Sequence, residues 1–257
     1  MKENIWGRNA VYETLRANRR EVYQLLVAEG VQERGHLADA IQLAQARSIP
    51  IRRVKRPALD RITDSHQGLL AEVSAYPYVA IDDMLDLARQ RGEPPLILLL
   101  DVIQNPQNLG TLLRTAEAAG AHGVIIPQRR GVEVTQAVVN ASAGASEHLL
   151  VAQVINLVAA ITELKEHEIW MTGLDNLPEA RPLDQANLRG AIGLVVGNEG
   201  EGMRRLVRES CDFLVKLPMR GQVDSLNAAV AGSIVLYEIL RQRMRNEPPR
   251  SGRLQGV

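Results

Sequence analysis

Leu96-Ile97-Leu98-Leu99-Leu100-Asp101-Val102-Ile103 is apolar but for one acid, and it runs directly into Gln104-Asn105-Pro106-Gln107-Asn108-Leu109-Gly110. A run this apolar fits a strand covered on both faces. The Asn- and Pro-rich stretch behind it ends the strand and opens a helix, whose Leu109, Leu112, Leu113 and Ala116 share one face. The pattern repeats downstream. Residues 123–127, 149–154, 169–173, 192–197 and 213–217 are further short apolar runs, with helical spacing between most of them. Leu226, Val230, Ile234 and Tyr237 mark one face of the last helix. Strand–helix alternation of this kind predicts an α/β fold built on a parallel sheet.

Upstream, residues 1–75 alternate more tightly. Helical spacing at 9–18, 33–47 and 57–63 separates apolar runs at 22–28, 49–54 and 68–73, which predicts a small α/β domain. Residues 76–93 hold Pro77, a charged helical stretch at 84–90 and the Gly92-Glu93-Pro94-Pro95 break, and read as a linker. The larger domain is expected at 94–246. Residues 247–257 contain two prolines and polar side chains and read as a flexible tail. There is no internal repeat.

The 257 residues carry 30 Lys+Arg against 30 Asp+Glu, and only 3% are aromatic. Taken whole, those values argue against a nucleic-acid binder, which is usually basic. The distribution argues otherwise. Residues 1–75 hold 12 basic and 9 acidic side chains, residues 76–240 hold 13 and 20, and residues 241–257 hold 5 and 1. A slightly basic front and a basic tail thus cancel an acidic middle. The densest cationic run is Arg47, Arg52, Arg53, Lys55, Arg56 and Arg61, broken by Asp60 alone. Such a run can neutralise phosphates or simply solvate a face. No apolar stretch approaches the length of a membrane span. The opening residues lack the apolar stretch of an export signal, so a cytoplasmic protein is expected. A single cysteine, Cys211, excludes an intrachain disulfide.

Ligands in parallel α/β sheets gather outside the carboxyl ends of the strands, and three strand ends here are unusual. One carries the Gln104–Gly110 segment and then Arg114-Thr115-Ala116. Another is Gly197-Asn198-Glu199-Gly200-Glu201-Gly202-Met203. The third runs Leu217-Pro218-Met219-Arg220-Gly221 into Ser225-Leu226-Asn227, which opens the last helix. Singly, each has a plain structural explanation. Asn108, or Ser225 and Asn227, could cap a helix, Arg114 could be a surface residue, and the glycines could serve a tight turn. Together at three strand ends they point to a site. The dinucleotide pattern G-x-G-x-x-G and the phosphate-binding G-x-x-x-x-G-K-[ST] are both absent. The five histidines lack metal-ligand spacing, and no serine or cysteine sits in a nucleophile elbow.

These residues resemble a known family. N-x-G-x-x-x-R-T-A at Asn108 to Ala116, G-N-E-G-E-G-M at Gly197 to Met203 and L-P-M…S-L-N at Leu217 to Asn227 are similar to the three ordered motifs of the SpoU/TrmH ribose methyltransferases, of the SPOUT class. Trp6-Gly7-Arg8-Asn9-Ala10-Val11 and His66-Gln67-Gly68 resemble the ribosomal-protein-like RNA-binding domain of the RlmB branch.

The resemblance implies a trefoil-knotted SPOUT domain behind a small RNA-binding domain. It also implies S-adenosylmethionine as methyl donor, a ribose 2′-hydroxyl of RNA as acceptor, and a homodimer. Within that branch the acceptor is a guanosine of 23S rRNA. A tRNA or another rRNA target stays open, as does a non-catalytic ribosome-assembly factor of the same fold. By motif, the cofactor would be held by Gly197, Asn198, Gly200, Gly202, Leu217, Met219, Ser225 and Leu226. Arg114 matches the catalytic arginine. Glu199 would orient Arg114 or accept the proton, Asn108 would position the ribose or Arg114, and Ser225 and Asn227 would order the loop and contact substrate. RNA would dock on Arg52, Arg53, Lys55 and Arg56. One departure stands out: many relatives carry Asp where this chain has Asn105, before Pro106.

Overall fold

The computed structural model describes residues 2–198 and 200–245; the tail expected at 247–257 and the site residue Glu199 lie outside the described residues. The front of the chain runs β1 (Lys2–Trp6), α1 (Arg8–Ala17), β2 (Val22–Ala28), α2 (His36–Ala46), β3 (Ile51–Val54), α3 (Arg56–Asp60) and β4 (Leu69–Ser74). Its sheet has the order β1-β4-β2-β3. β4 is antiparallel to both neighbours, and β2 and β3 are parallel. Leu15 of α1 and Leu37 and Ala40 of α2 are buried with Ile5, Leu25, Val27 and Val73 of the sheet. Leu59 of α3 packs with Ala28 and Leu70 in a smaller cluster. β1 was not legible in the sequence. It is a polar edge strand whose only buried residue is Ile5, so it shows no apolar run.

The second sheet follows α4 (Ile81–Arg91) and runs β5 (Leu96–Leu100), α5 (Pro106–Ala118), β6 (Gly123–Pro127), α6 (Gln136–Ala141), β7 (Val151–Val154), α7 (Leu157–Glu166), β8 (Trp170–Leu174), β9 (Arg181–Pro182), β10 (Ile192–Val196), α8 (Arg205–Glu209), β11 (Phe213–Lys216) and α9 (Ala228–Met244). All pairings in the order β7-β6-β5-β10-β8-β11-β9 are parallel. Every residue of β5, β6 and β10 is buried, as their unbroken apolar runs require of a sheet covered on both faces. The two-residue β9 is too short to leave a pattern. Residues 76–93 are more than a connection: Ile81, Met84 and Leu85 of α4 are buried with Ile97, Leu99 and Ile125 of the sheet. Asp82, Asp83, Asp86, Arg89 and Arg91 interleave with that apolar stripe and mask it in the sequence.

The chain lays β5, β6 and β7 outward in one direction, then returns to place β10, β8, β11 and β9 on the other side of β5. The reversal lies between β5 and β10, and a crevice at their carboxyl ends is where such sheets bind ligands.

The two parts of the chain are bolted together. Arg20 is fully buried and bonds Glu147 through Nε and Nη2 at 3.0 and 3.1 Å, and Glu3 through Nη1 at 2.7 Å. Arg19 donates to the carbonyls of Pro77, Glu147 and Leu149. His148 meets Glu13 at 2.7 Å, and Gln136 Nε2 donates to the Trp6 carbonyl at 3.0 Å.

Candidate active site

α5 and α9 frame the site, and both begin where their sequences dictate. Asn105 caps α5, its side chain accepting from Gln107 N–H at 2.8 Å, and Pro106 occupies the first turn, where its missing N–H has no cost. Capping therefore does not fall to Asn108. A neutral Asn performs it, so the departure from Asp at this position leaves the helix start intact. Asn227 caps α9, accepting from Ala229 and Val230 at 3.0 and 3.2 Å. The helix opens at Ala228, and Ser225 precedes it in exposed loop.

The helices pack through Leu112 and Gly232, where a Cβ would sit 2.7 Å from Leu112 Cδ2 and 3.2 Å from Val196 Cγ2. Ser233 donates to Thr115 at 2.9 Å, and Asn227 Nδ2 donates to Asn108 Oδ1 at 3.2 Å. A motif residue in the first turn of α5 thus touches the motif residue that caps α9. The Leu226, Val230, Ile234, Tyr237 face of α9, however, points outward. Ala229, Gly232, Leu236 and Ile239 form its buried face.

At the carboxyl ends of β10, β8 and β11, just beyond that reversal, lies a cavity of about 310 Å³. Gly197, Asn198, Gly200, Gly202, Leu217, Met219, Ser225 and Leu226 all line it. The loop after β10 folds back on itself. Asn198 and Gly202 exchange two backbone hydrogen bonds of 3.1 and 3.0 Å, and Gly200 N–H donates to Asn198 Oδ1. A Cβ at Gly197 would lie 2.4 Å from the backbone of Gly202 and Met203, so only glycine permits this turn. Gly202 has φ +68, a region that favours glycine.

Sequence reasoning missed several residues here. Asp175 and Asn176, at the end of β8, line the cavity with Glu201 and Asp224, and Asn176 Nδ2 donates to the Asp224 carbonyl at 3.1 Å. Asp101, fully buried at the end of β5, accepts from Arg204 N–H and Nε, both at 2.7 Å. That clamp fixes where the 197–203 loop returns to α8. The one acid in the first apolar run was its signal. Asp101→Ala removes the acceptor of the part-buried Arg204 N–H while the guanidinium, 47% exposed, can turn to water, so a loss of about 1 kcal/mol is expected. A lowered thermal midpoint is expected; an unchanged one would refute the clamp.

Arg114 is exposed, roughly 9 Å along the axis of α5 from Asn108, and is not among the residues lining the cavity. Among the described residues it makes no hydrogen bond or ion pair. The four basic residues expected to dock RNA are partly engaged. Arg53 pairs with Glu33 at 2.5 Å, and Arg56 lies 3.9 Å from Asp60; Arg52 and Lys55 are exposed. Burial pushes the Cys211 thiol up to about 12, which disfavours the nucleophilic thiolate. Among the described residues no acid, histidine and cysteine cluster could hold a metal, and no helix is long and apolar enough to cross a membrane.

Geometry alone thus defines a two-part α/β protein with a cavity at the carboxyl ends of β10, β8 and β11 of a parallel sheet. Comparison with known proteins carries this further. Residues 95–237 match the SpoU rRNA methylase family model, and residues 4–79 match the model for RNA 2′-O ribose methyltransferase substrate binding. The chain is 47% identical over 242 residues to YacO, a TrmH-family tRNA/rRNA methyltransferase of Bacillus subtilis, covering 93% of this chain and 95% of that one. Its fold matches the SpoU methyltransferase AviRb of Streptomyces viridochromogenes, solved with AdoMet, with a TM-score of 0.79 at 23% identity over 95% of this chain and 92% of AviRb. It also matches a solved RNA 2′-O ribose methyltransferase with a TM-score of 0.74 at 28% identity, over 95% of this chain and 89% of the other. The chain belongs to the SpoU rRNA methylase family.

Proposed function

We propose that this protein transfers a methyl group from S-adenosylmethionine to a ribose 2′-hydroxyl of RNA, and that its acceptor is a guanosine of 23S rRNA. The observation that carries the reading is the meeting of the 197–202 loop and the 217–226 segment at one cavity, with Asn227 at the start of α9 bonded to Asn108 of α5. The cavity suits the cofactor chemically. Leu174, Leu217, Met219 and Leu226 would offer apolar walls to an adenosine, and Asp175, Glu201 and Asp224 give the lining an acidic character that would suit a sulfonium cation. Among the described residues of the lining Lys216 is the one cation, and its ammonium is held by the carbonyls of Leu177 and Pro178.

When bound, S-adenosylmethionine supplies the electrophilic methyl group. The remaining work falls to the chain. A 2′-hydroxyl is a poor nucleophile, so the site must take its proton or stabilise the developing alkoxide. A guanidinium stays protonated at working pH and is a poor base. Arg114 therefore acts as an electrostatic stabiliser of the alkoxide and the adjoining phosphate. Asn108 holds the ribose side of the site in register through Asn227, Ser225 contacts substrate from the loop, and Glu199 is assigned to orient Arg114 or receive the proton. Incubation with tritiated methyl donor and transcripts of 23S, 16S and transfer RNA tests the reading. Label in 23S rRNA alone supports it, label in tRNA moves the target, and no label in any refutes the activity.

The site is proposed to lie at a homodimer interface. Val230, Ile234 and Tyr237 are 46%, 42% and 52% exposed on one face of α9, and Leu226 carries that stripe to the cavity rim. An apolar stripe on a helix whose other face is already buried calls for a second partner, and a second copy of α9 offers the same self-complementary surface. Val230→Asp with Ile234→Asp is expected to convert a dimer to a monomer by light scattering; a wild-type monomer would overturn the interface.

A further inference from the structure

The front domain holds a second cleft, of about 430 Å³, lined by Arg8, Arg56, Glu29, Gln67, Gly30 and Gly68 among others. Its walls are unusually constrained. Gly30 and Gly68 have φ +74 and +84, Gly7 beside Arg8 has φ +94, and Gln67, which is not a glycine, has φ +50. The glycines adopt that region freely, but a left-handed Gln67 persists only where the surroundings over-determine it. Here the surroundings are explicit. Arg8 N–H donates to Gln67 Oε1 at 3.1 Å, and Arg8 Nε donates to the Gln67 carbonyl at 3.2 Å. Gly68 N–H donates to His66 Nδ1 at 2.7 Å, so the buried His66 carries its proton on Nε2, which faces Asp60 Oδ1 at 2.8 Å. A Cβ at Gly68 would press to 2.9 Å from Val31 Cγ2.

These bonds hold the loop and leave its recognition groups unused. The terminal nitrogens of Arg8 and the amide nitrogen of Gln67 have no partner among the described residues. Arg56 has only the long contact with Asp60. α1 starts at the cleft edge with no side-chain cap and no acid in its first turn. Glu29 distinguishes the ligand: a carboxylate opposes a bare anion but accepts from the amino edge of a base. One turn along α1 from Arg8, Tyr12 stacks on His36 with ring centres 4.5 Å apart and planes 7° from parallel. An exposed imidazole face is thus available for a neighbouring base.

We propose that this cleft takes one unpaired nucleotide of the RNA substrate. Its phosphate sits between Arg8 and Arg56, its base edge meets Gln67 and Glu29, and the next base stacks on the Tyr12–His36 pair. The inference rests on the RNA methyltransferase reading and moves the centre of recognition from the cationic run on β3 to the loops around Gln67. Splayed bases in loops are what such a cleft can reach, since paired bases stay within the helix.

The test uses the full chain, a fluorescent RNA hairpin with an unpaired loop, and the same stem as a blunt duplex. Wild type should bind the hairpin at least about tenfold more tightly than the duplex. Arg8→Glu and Gln67→Ala should each weaken hairpin binding, by about tenfold or more for the first and severalfold for the second. Arg52→Glu with Arg53→Glu should weaken hairpin and duplex alike, as nonspecific phosphate contacts do. Calorimetry with S-adenosylmethionine separates the two readings, because cofactor binding should be unchanged in all variants. Failure of wild type to bind the cofactor sinks the enzyme reading. Cofactor binding with hairpin affinity unmoved by both Arg8→Glu and Gln67→Ala, or equal affinity for hairpin and duplex, sinks the cleft.

Discussion

Arg114→Ala is expected to cut single-turnover methyl transfer by about 10²–10³-fold, the scale of losing one preorganised charge-stabilising donor, with S-adenosylmethionine affinity within about twofold of wild type. The two halves of this expectation come from where the residue stands. Arg114 is exposed on α5 and absent from the cavity lining, so its removal leaves the walls at Gly197–Gly202 and Leu217–Leu226 untouched. It is also free of any ion pair among the described residues, which leaves its guanidinium free to meet the substrate. Arg114→Lys should restore only part of the rate, because a point charge lacks the fork that spans alkoxide and phosphate. Rate loss matched by loss of cofactor affinity would make Arg114 a binding residue, and retained turnover would remove it from the chemistry.

What could be read from residues alone follows from how local each signal was. β5, β6 and β10 are buried on both faces, so their pattern needs no partner to be recognised. The glycines at 197 and 202 answer to close approach and positive φ, both properties of the loop itself. β1 has one buried residue among five, and its pairing with β4 comes from distant sequence. The outward face of α9 is as apolar as its inward one, so periodicity could not say which faces the sheet. Asp101 and Arg204 are 103 residues apart in sequence, and no spacing joins them. The charge of the chain was the most misleading quantity. Its zero sum hid a front domain in which Arg8, far from the cationic run in sequence, shares a cleft with Arg56.

The largest stability effect should fall on the bolt between the two parts of the chain. Arg20→Ala is expected to lower the unfolding free energy by about 3–5 kcal/mol, the range for breaking one side of a buried ion pair. Both partners are withdrawn from water, with side-chain exposures of 0% for Arg20 and 1% for Glu147. The guanidinium also lies over Tyr76 at 4.9 Å. Burial holds the Glu147 carboxyl above the ordinary carboxylate range, and Arg20, Arg19 and His148 pull against that rise. A carboxyl whose folded pKa is raised contributes most stability below its unfolded value and loses it as pH climbs through the folded one. Deleting Arg20 removes the chief opposing charge, so the folded carboxyl should take up its proton at higher pH still. The penalty of Arg20→Ala should therefore shrink in mildly acidic buffer and be largest in mildly alkaline buffer. Urea unfolding at the two pH values measures it, and a penalty that is constant or grows with acid would refute the account. Arg20→Met with Glu147→Leu should recover most of the loss, since well-packed apolar groups replace buried pairs with little cost.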